Sequence, residues 1–423
     1  MSQKIISFYL KEFFVFSAVY TYFLKDNHYI SFIGIIIFLL VAFIFSNNKN
    51  KINPRRIFGA LALQFILAFF VLRTEIGNHF FTMLSRGFER IYSFADAGIG
   101  FLFGNMIDPS GPWGFLFIVK VVPMIIFFSA LMSLLFHFGI IQFLVRFLSF
   151  FIRPILGTSG AETLCAAANS MLGPTEAPLF VKKYIKGMTE SEILVVMISG
   201  MSTLQAGLIA VYSSMGVSMI HLLTASVMSI PGAILVSKIL IPETKIPETS
   251  AGSSFEMKKD TSNMLDAIAQ GTGDGLKLAA NVAAMLIAFI SLMSMADYLL
   301  FNIIGYSLNE IFSKLFSNIT LLLGISSREK SVAGILLGQK LVINEFVAYS
   351  SFVKATLSTR TQAILTYALC GFSNFSVIGI LIGGISALAP NKRTILTKFG
   401  LRALLGGTLV NLINAAIAGL LIS

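Results

Sequence analysis

Charge is what this sequence has least of. Only 12% of its 423 residues are Asp, Glu, Lys or Arg, 56% are hydrophobic, and mean hydropathy is +0.84. That composition excludes a water-soluble domain and gives a polytopic membrane protein. Several apolar runs reach the roughly 20 residues that a bilayer crossing needs. Cysteine is almost missing: Cys165 and Cys370 both lie in apolar surroundings, which leaves a disulfide scaffold and a zinc site unsupported. The four histidines, His28, His79, His137 and His221, are scattered and form no ligand set. Long polar stretches are lacking too. Residues 242–263 form the one loop-like linker of any length, so there is no second soluble domain. The excess of base, net +11, sits mainly in short loops, as orientation signals do, and points to no nucleic-acid partner.

What is present divides into six stretches. Residues 1–30 read as an extra N-terminal helix, spanning or interfacial, since the apolar run 5–24 carries Lys11-Glu12 near its middle. No small-residue cleavage site follows it, which makes a poor signal peptide. Residues 31–153 hold a span at 31–46, a return at 57–72, an amphipathic interfacial segment at 75–100 and a span at 113–138. The loop 47–56 carries Lys49, Lys51, Arg55 and Arg56 and is expected in the cytoplasm. Lys120, inside a span, reads as a snorkelling or paired structural charge. Residues 154–241 hold a first interrupted apolar element and a span at 221–241. Residues 242–330 hold the linker and a span at 276–300. Residues 331–394 hold a second interrupted element, and 395–423 a closing helix.

The interrupted elements carry the chemistry. Glu176 stands in Gly-Pro-Thr-Glu-Ala-Pro-Leu (173–179), between two apolar segments and flanked by Pro174 and Pro178. A carboxylate at membrane depth costs about 2.5–3.5 kcal/mol on insertion scales and marks a functional site by default. The prolines stop a helix there, and irregular backbone at that depth is tolerated only inside protein or along a wet cavity. The second half repeats the pattern with Glu345 in GQKLVINEFVAY (338–349). Thirteen residues separate Glu176 from Thr189 and Glu345 from Ser358, and each hydroxyl opens a new helix in a cap-like position. Further on, Ser199–Gln205 and Cys370–Ser376 are small, polar patches within apolar runs. Matched interrupted segments in two halves point to a transporter site, where half-helix N-termini and unwound carbonyls act as ligands.

These residues resemble the concentrative nucleoside transporters. The likeness covers roughly residues 31–422 and rests on NNKNKINPRRIFGALALQ, VVPMIIFFSAL, LGTSGAETLCAAANSMLGPTEAPL, GMTESEI, NMLDAIAQG with AMLIAF, NEFVAYSSF, and ALCGFSNFSVIGI followed by GGISALAP. The resemblance implies an all-α inverted-repeat transporter with two re-entrant helical hairpins and two partly unwound transmembrane helices. These would form a transport domain against the scaffold of a homotrimer. It also implies the sites. Thr175 and Glu176 would contact the nucleobase side, with Leu208 packed against the base. Glu345 and Asn374 would take the ribose hydroxyls, with Phe372 beside them. Asn169 and Thr203, with the carbonyls of Leu172 and Leu204, would hold sodium. An amide and a carboxylate suit vicinal hydroxyls, and a hard cation wants oxygen ligands.

Two positions depart from the family's pattern. Pro174 stands where the family usually has Gln, and Val377 where it usually has Ser. Each lost hydrogen bond is worth about 0.5–1.5 kcal/mol, so a different or broader set of nucleosides, or a related polar solute, is expected. Proton coupling through Glu176 or Glu345 is the alternative to sodium. A remote alternative is an intramembrane protease. Gly157-Thr-Ser-Gly160 resembles a serine-protease motif but has no recognisable histidine partner, and Gly271-Thr-Gly-Asp274 lacks a second Asp in its own motif. A channel would need rings of like charge, which are not apparent. Short loops favour a bacterial inner (plasma) membrane.

Overall fold

Short polar residues start the helices. In a computed structural model, which describes residues 28–108, 112, 116–250 and 261–422, there is no strand among the described residues. The helices are α1 (His28–Ile44), α2 (Pro54–Arg73), α3 (Glu75–Phe103), α4 (Phe117–His137), α5 (Ile140–Leu156), α6 (Gly160–Asn169), the single turn α7 (Lys182–Ile185), α8 (Glu190–Ser202), α9 (Ala206–Ser214) and α10 (Met219–Leu240). After the linker come α11 (Met264–Ile304), α12 (Leu308–Leu321), α13 (Lys330–Val342), α14 (Glu345–Phe352), α15 (Thr359–Leu369), α16 (Phe375–Leu388) and α17 (Arg393–Leu421). Ser159, Thr189 and Ser307 close capping boxes with Glu162, Glu192 and Glu310. Each box satisfies two of the donors that a helix start leaves open. Ser358, Asn344 and Asn374 cap α15, α14 and α16 from their side chains. Apart from its last three residues, the N-terminal helix expected over 1–30 lies outside the described residues, as do residues 113–115 of the expected span 113–138.

α11 is much longer than the span expected at 276–300. Its 41 residues reach about 60 Å at 1.5 Å per residue, twice the bilayer's hydrocarbon thickness. The glycines of 271–275 do not break it, because α11 lies directly on α4 there. A Cβ on Gly271 would stand 2.6 Å from the Ser133 Cβ, and one on Gly275 2.8 Å from the Ile126 Cα. Small residues let two helices close on each other. Gly271 of Gly271-Thr-Gly-Asp274 is therefore explained by packing, whereas Gly273 faces open space. Lys120 is paired, its Nζ 2.7 Å from Asp96.

The centre of the molecule is α17 with α8, α10 and α15. Most residues of α8, α10 and the C-terminal part of α17 are buried, whereas only a few of α11 are. Gly406 and Gly407 of α17 admit Ile198 and Met201 of α8 to distances that no Cβ would allow. In both halves a helical segment runs inward, breaks, and is followed by an interrupted helix. In the first these are α6, the tip 170–176, the 3-10 turn Ala177–Val181 with α7, and then α8–α9. In the second they are α13, the break Ile343-Asn344, α14, and then α15–α16.

The entries to the two halves are tied differently. Ser159 donates to Glu192 at 2.5 Å, and Thr189 to Glu243 at 2.7 Å. Buried Lys238 pairs with Glu162 at 2.6 Å. In the second half Glu329 alone takes the Ser358 amide (2.6 Å) and the hydroxyls of Ser358 (3.0 Å) and Thr361 (2.6 Å).

Candidate functional site

The tip of the first hairpin docks on the break between α8 and α9. The Ala206 amide donates to the Met171 carbonyl at 3.0 Å, and the Ser226 hydroxyl donates to the Ser170 carbonyl at 2.8 Å. Pro174 fills the space that Gly200 leaves open: a Cβ on Gly200 would stand 2.9 Å from the Pro174 Cβ and 3.3 Å from Leu381 of α16. Thr175 reaches α16 as well, its methyl lying 3.0 Å from where a Cβ on Gly384 would stand. Thr175 and Glu176 are exposed, and Glu176 begins the 3-10 turn Ala177–Val181. The tip therefore touches both interrupted helices. Leu208 is buried in the first turn of α9.

Below the tip, two predicted ligands meet at one serine. Asn169 Nδ2 donates to Ser199 Oγ at 2.9 Å, and Thr203 Oγ1 donates to the Ser199 carbonyl at 2.8 Å. The Asn169 Oδ1 is buried and has no hydrogen-bond partner among the described residues. An orphaned buried oxygen is costly, about 1–3 kcal/mol, unless something fills the gap. Leu172 lies in the tip and Leu204 in the break, so both carbonyls belong to non-helical backbone. The donor set is oxygen only, which suits a hard monovalent cation.

The second half brings its own pair together. Glu345, the first residue of α14, is 6% exposed. It accepts from Asn374 Nδ2 at 3.0 Å and from the Tyr212 hydroxyl at 3.3 Å. Asn374 is also the N-cap of α16: its Oδ1 takes the Val377 amide at 3.2 Å and the Ser376 hydroxyl at 2.7 Å. Both acids therefore stand at helix starts, where the macrodipole favours negative charge. A carboxylate has about four lone-pair sites, so two donors leave Glu345 with capacity for hydroxyls. Phe372 is buried just before this pair. Val377 is buried and contributes only its amide, as the sequence implies.

Sequence reading missed two residues here. Tyr212 looks like core in an apolar helix, yet it ties α9 to Glu345 and stacks near Tyr349 at 4.4 Å between ring centroids. Ser376 brings a hydroxyl to Asn374 one position before the serine that Val377 replaces. The signal for Ser376 was its place in the polar patch after Cys370; for Tyr212 there was none. Lys340 is buried, and its partners are the Ala368 carbonyl (2.8 Å) and Asn411 Oδ1 (2.7 Å). Ser159 caps α6 and bonds Glu192, while His137 contacts Thr261 and His221 contacts Tyr367. Among the described residues, no histidine is hydrogen-bonded to Ser159.

Three family descriptions match in chain order: "Na+ dependent nucleoside transporter N-terminus" over residues 33–106, "Nucleoside recognition" over 118–219, and "Na+ dependent nucleoside transporter C-terminus" over 221–419. An uncharacterized transporter of Haemophilus influenzae is 39% identical, over 93% of this chain and 97% of that protein. Nucleoside permease NupC of Helicobacter pylori is 37% identical, over 93% and 97%. Sodium/nucleoside cotransporter 1 of Rattus norvegicus is 35% identical, over 94% of this chain and 64% of its own length. Among solved structures, CNTnw in an inward-facing substrate-bound state superposes with a TM-score of 0.89 at 38% identity, over 93% of this chain and 99% of that one. CNTnw variants in an outward-facing state give TM-scores of 0.87 and 0.88.

Proposed function

The chain belongs to the concentrative nucleoside transporter family, is a multi-pass membrane transporter and not an enzyme, and from that premise we propose that it is a sodium-coupled nucleoside symporter. The observation that carries the substrate reading is Glu345, buried at a helix start and held by the Asn374 amide at 3.0 Å. A carboxylate and an amide side by side take the two hydroxyls of a ribose. The exposed Thr175 and Glu176 take the base side, and Leu208 and Phe372 supply apolar surface. Pro174 removes an amide able to read a base edge. That favours a substrate range set by the sugar more than by the base.

Sodium is read as the co-transported ion, held by Asn169, Thr203 and the carbonyls of Leu172 and Leu204. The orphaned Asn169 Oδ1 supports this reading. An ion there draws the end of α6 onto the α8–α9 break, and the ordered tip then meets the nucleoside. Such coupling is worth about 1–3 kcal/mol and is reciprocal. Transport follows by alternating access of the hairpins and interrupted helices against a scaffold. The reading places a homotrimer in a cell inner (plasma) membrane, with the basic loop 47–56 in the cytoplasm.

The test is uptake into proteoliposomes, with nucleosides, free bases and ribosylated compounds in competition, with and without sodium. Nucleosides should compete and free bases should not, and choline in place of sodium should suppress uptake. Uptake that ignores choline replacement but collapses without a pH gradient would make a proton on Glu176 or Glu345 the coupling ion instead.

A further inference from the structure

One amide joins the two helix breaks. Asn411 of α17 is 1% exposed in a mostly apolar helix that also carries Asn414, and its side chain makes four hydrogen bonds. Its Nδ2 donates to the Ser202 carbonyl at 2.9 Å and to the Cys370 carbonyl at 2.7 Å. Its Oδ1 accepts from Lys340 Nζ at 2.7 Å and from Ser373 Oγ at 3.1 Å. Ser202 precedes Thr203 of the proposed sodium site, and Ser373 precedes Asn374. The approach is so close that Gly371 is needed. Its φ is +150°, and a Cβ there would stand 2.7 Å from Asn411 Oδ1 and 2.9 Å from the Ser202 carbonyl.

The cation in this knot is Lys340. It is 4% exposed, and its second partner is the Ala368 carbonyl at 2.8 Å. Among the described residues, no carboxylate lies within ion-pair distance of it. Its surroundings are the carbonyl end of α15, an amide oxygen and a small cavity of about 40 Å³ lined by Ser373, Thr408 and apolar side chains. A helix C-terminus carries partial negative charge and favours a cation. The place corresponds to the proposed sodium site in the first half. There, Asn169 near the end of the first hairpin helix meets the carbonyl end of α8. Here, Lys340 near the end of α13 meets the carbonyl end of α15.

We infer that the Lys340 ammonium is a resident cation at the second helix break, standing where a second coupling ion would bind, and that Asn411 ties it to the sodium site. The inference rests on the sodium reading above. Its consequence is that one half carries a cation that comes and goes while the other carries one bonded to the chain. Only one ion site then responds to sodium, and the ribose-side pair is held in register whether or not sodium is present.

The experiment measures uridine affinity on the purified protein while sodium chloride is titrated, for wild type and for K340R, K340M and K340A. Thermal stabilisation by sodium alone reports that each variant is folded. K340R should keep uridine affinity within about threefold of wild type, and K340M should lower it at least tenfold, about 1.4 kcal/mol. K340A should recover part of its loss with methylammonium chloride and none with choline chloride. A neutral K340M that binds uridine as wild type does would overturn the resident-cation role, as would a K340A loss untouched by methylammonium. Should K340M not fold, the methylammonium arm decides. Wild-type binding that ignores sodium would instead overturn the sodium reading, which separates the two failures.

Discussion

The two hairpins share an order of elements and differ in how finished they are. In the second, Glu345 is buried and already bonded to Asn374 and Tyr212, and the nearby cation is a lysine. In the first, Glu176 is exposed at the tip, and the nearby Asn169 keeps an oxygen without a partner among the described residues. One side is preorganised, and the other keeps open positions for things that arrive. The same asymmetry appears at the entries to the halves. A buried network of Glu162, Glu192, Glu243 and Lys238 ties the first, and Glu329 with two capped hydroxyls ties the second. On the symporter reading proposed above, the preorganised half would fix the sugar and the unfinished half would make binding conditional on an ion.

The sharpest way to break that contrast is Glu345→Gln. It removes a charge whose hydrogen bonds are worth about 1.5–3 kcal/mol each, so nucleoside uptake should fall by about two decades or more. Near-normal uptake by that variant would place the sugar elsewhere. Next is Lys238→Met, which strands Glu162 without its cation. Breaking a buried pair costs about 3–5 kcal/mol, so a thermal-shift assay should register a large loss of stability. Asn169→Ala should remove most of the sodium dependence of uptake while leaving the Glu345–Asn374 pair in place. With a coupling of about 1–3 kcal/mol, nucleoside affinity in sodium should drop about 5- to 150-fold to its sodium-free value. Val377→Ser sharpens the comparison in the other direction. A hydroxyl at that site should raise nucleoside affinity by up to about tenfold, since one such bond gives about 0.5–1.5 kcal/mol.

The smallest effect concerns pH. Burial opposes charge on Glu329, but the hydroxyls of Thr361, Ser358 and Ser326 and the Ser358 amide outweigh it and hold its carboxyl below the usual range. The stability it gives is present above the ordinary carboxylate range and is lost as pH falls through the lowered value. Glu329→Gln should therefore flatten the acid side of a stability-against-pH curve measured by thermal shift.

Much of this was legible in the sequence. Breaks were marked by Pro174 and Pro178, and helix starts by the hydroxyls of Thr189 and Ser358. The Glu345–Asn374 pair followed from motif resemblance, and the structure joins those two side chains. The length of α11 was not legible, because glycines that usually mark a loop here mark a close helix contact. Nor was the partner of Lys340. Glu345 is only five residues away in sequence, but α17 enters from far along the chain and presents Asn411. Asn411 did carry a signal, an amide in a mostly apolar stretch long enough to cross a bilayer. Only tertiary packing could say that it touches both breaks.

A density map of the protein with sodium and uridine bound tests the central claim most directly. The account predicts the ribose hydroxyls against Glu345 and Asn374, the base toward Thr175 and Glu176, and an ion beside Asn169 and Thr203. Uridine seated away from Glu345, or the residue 176 and 345 side chains on opposite sides of the protein with no shared cavity, would contradict it.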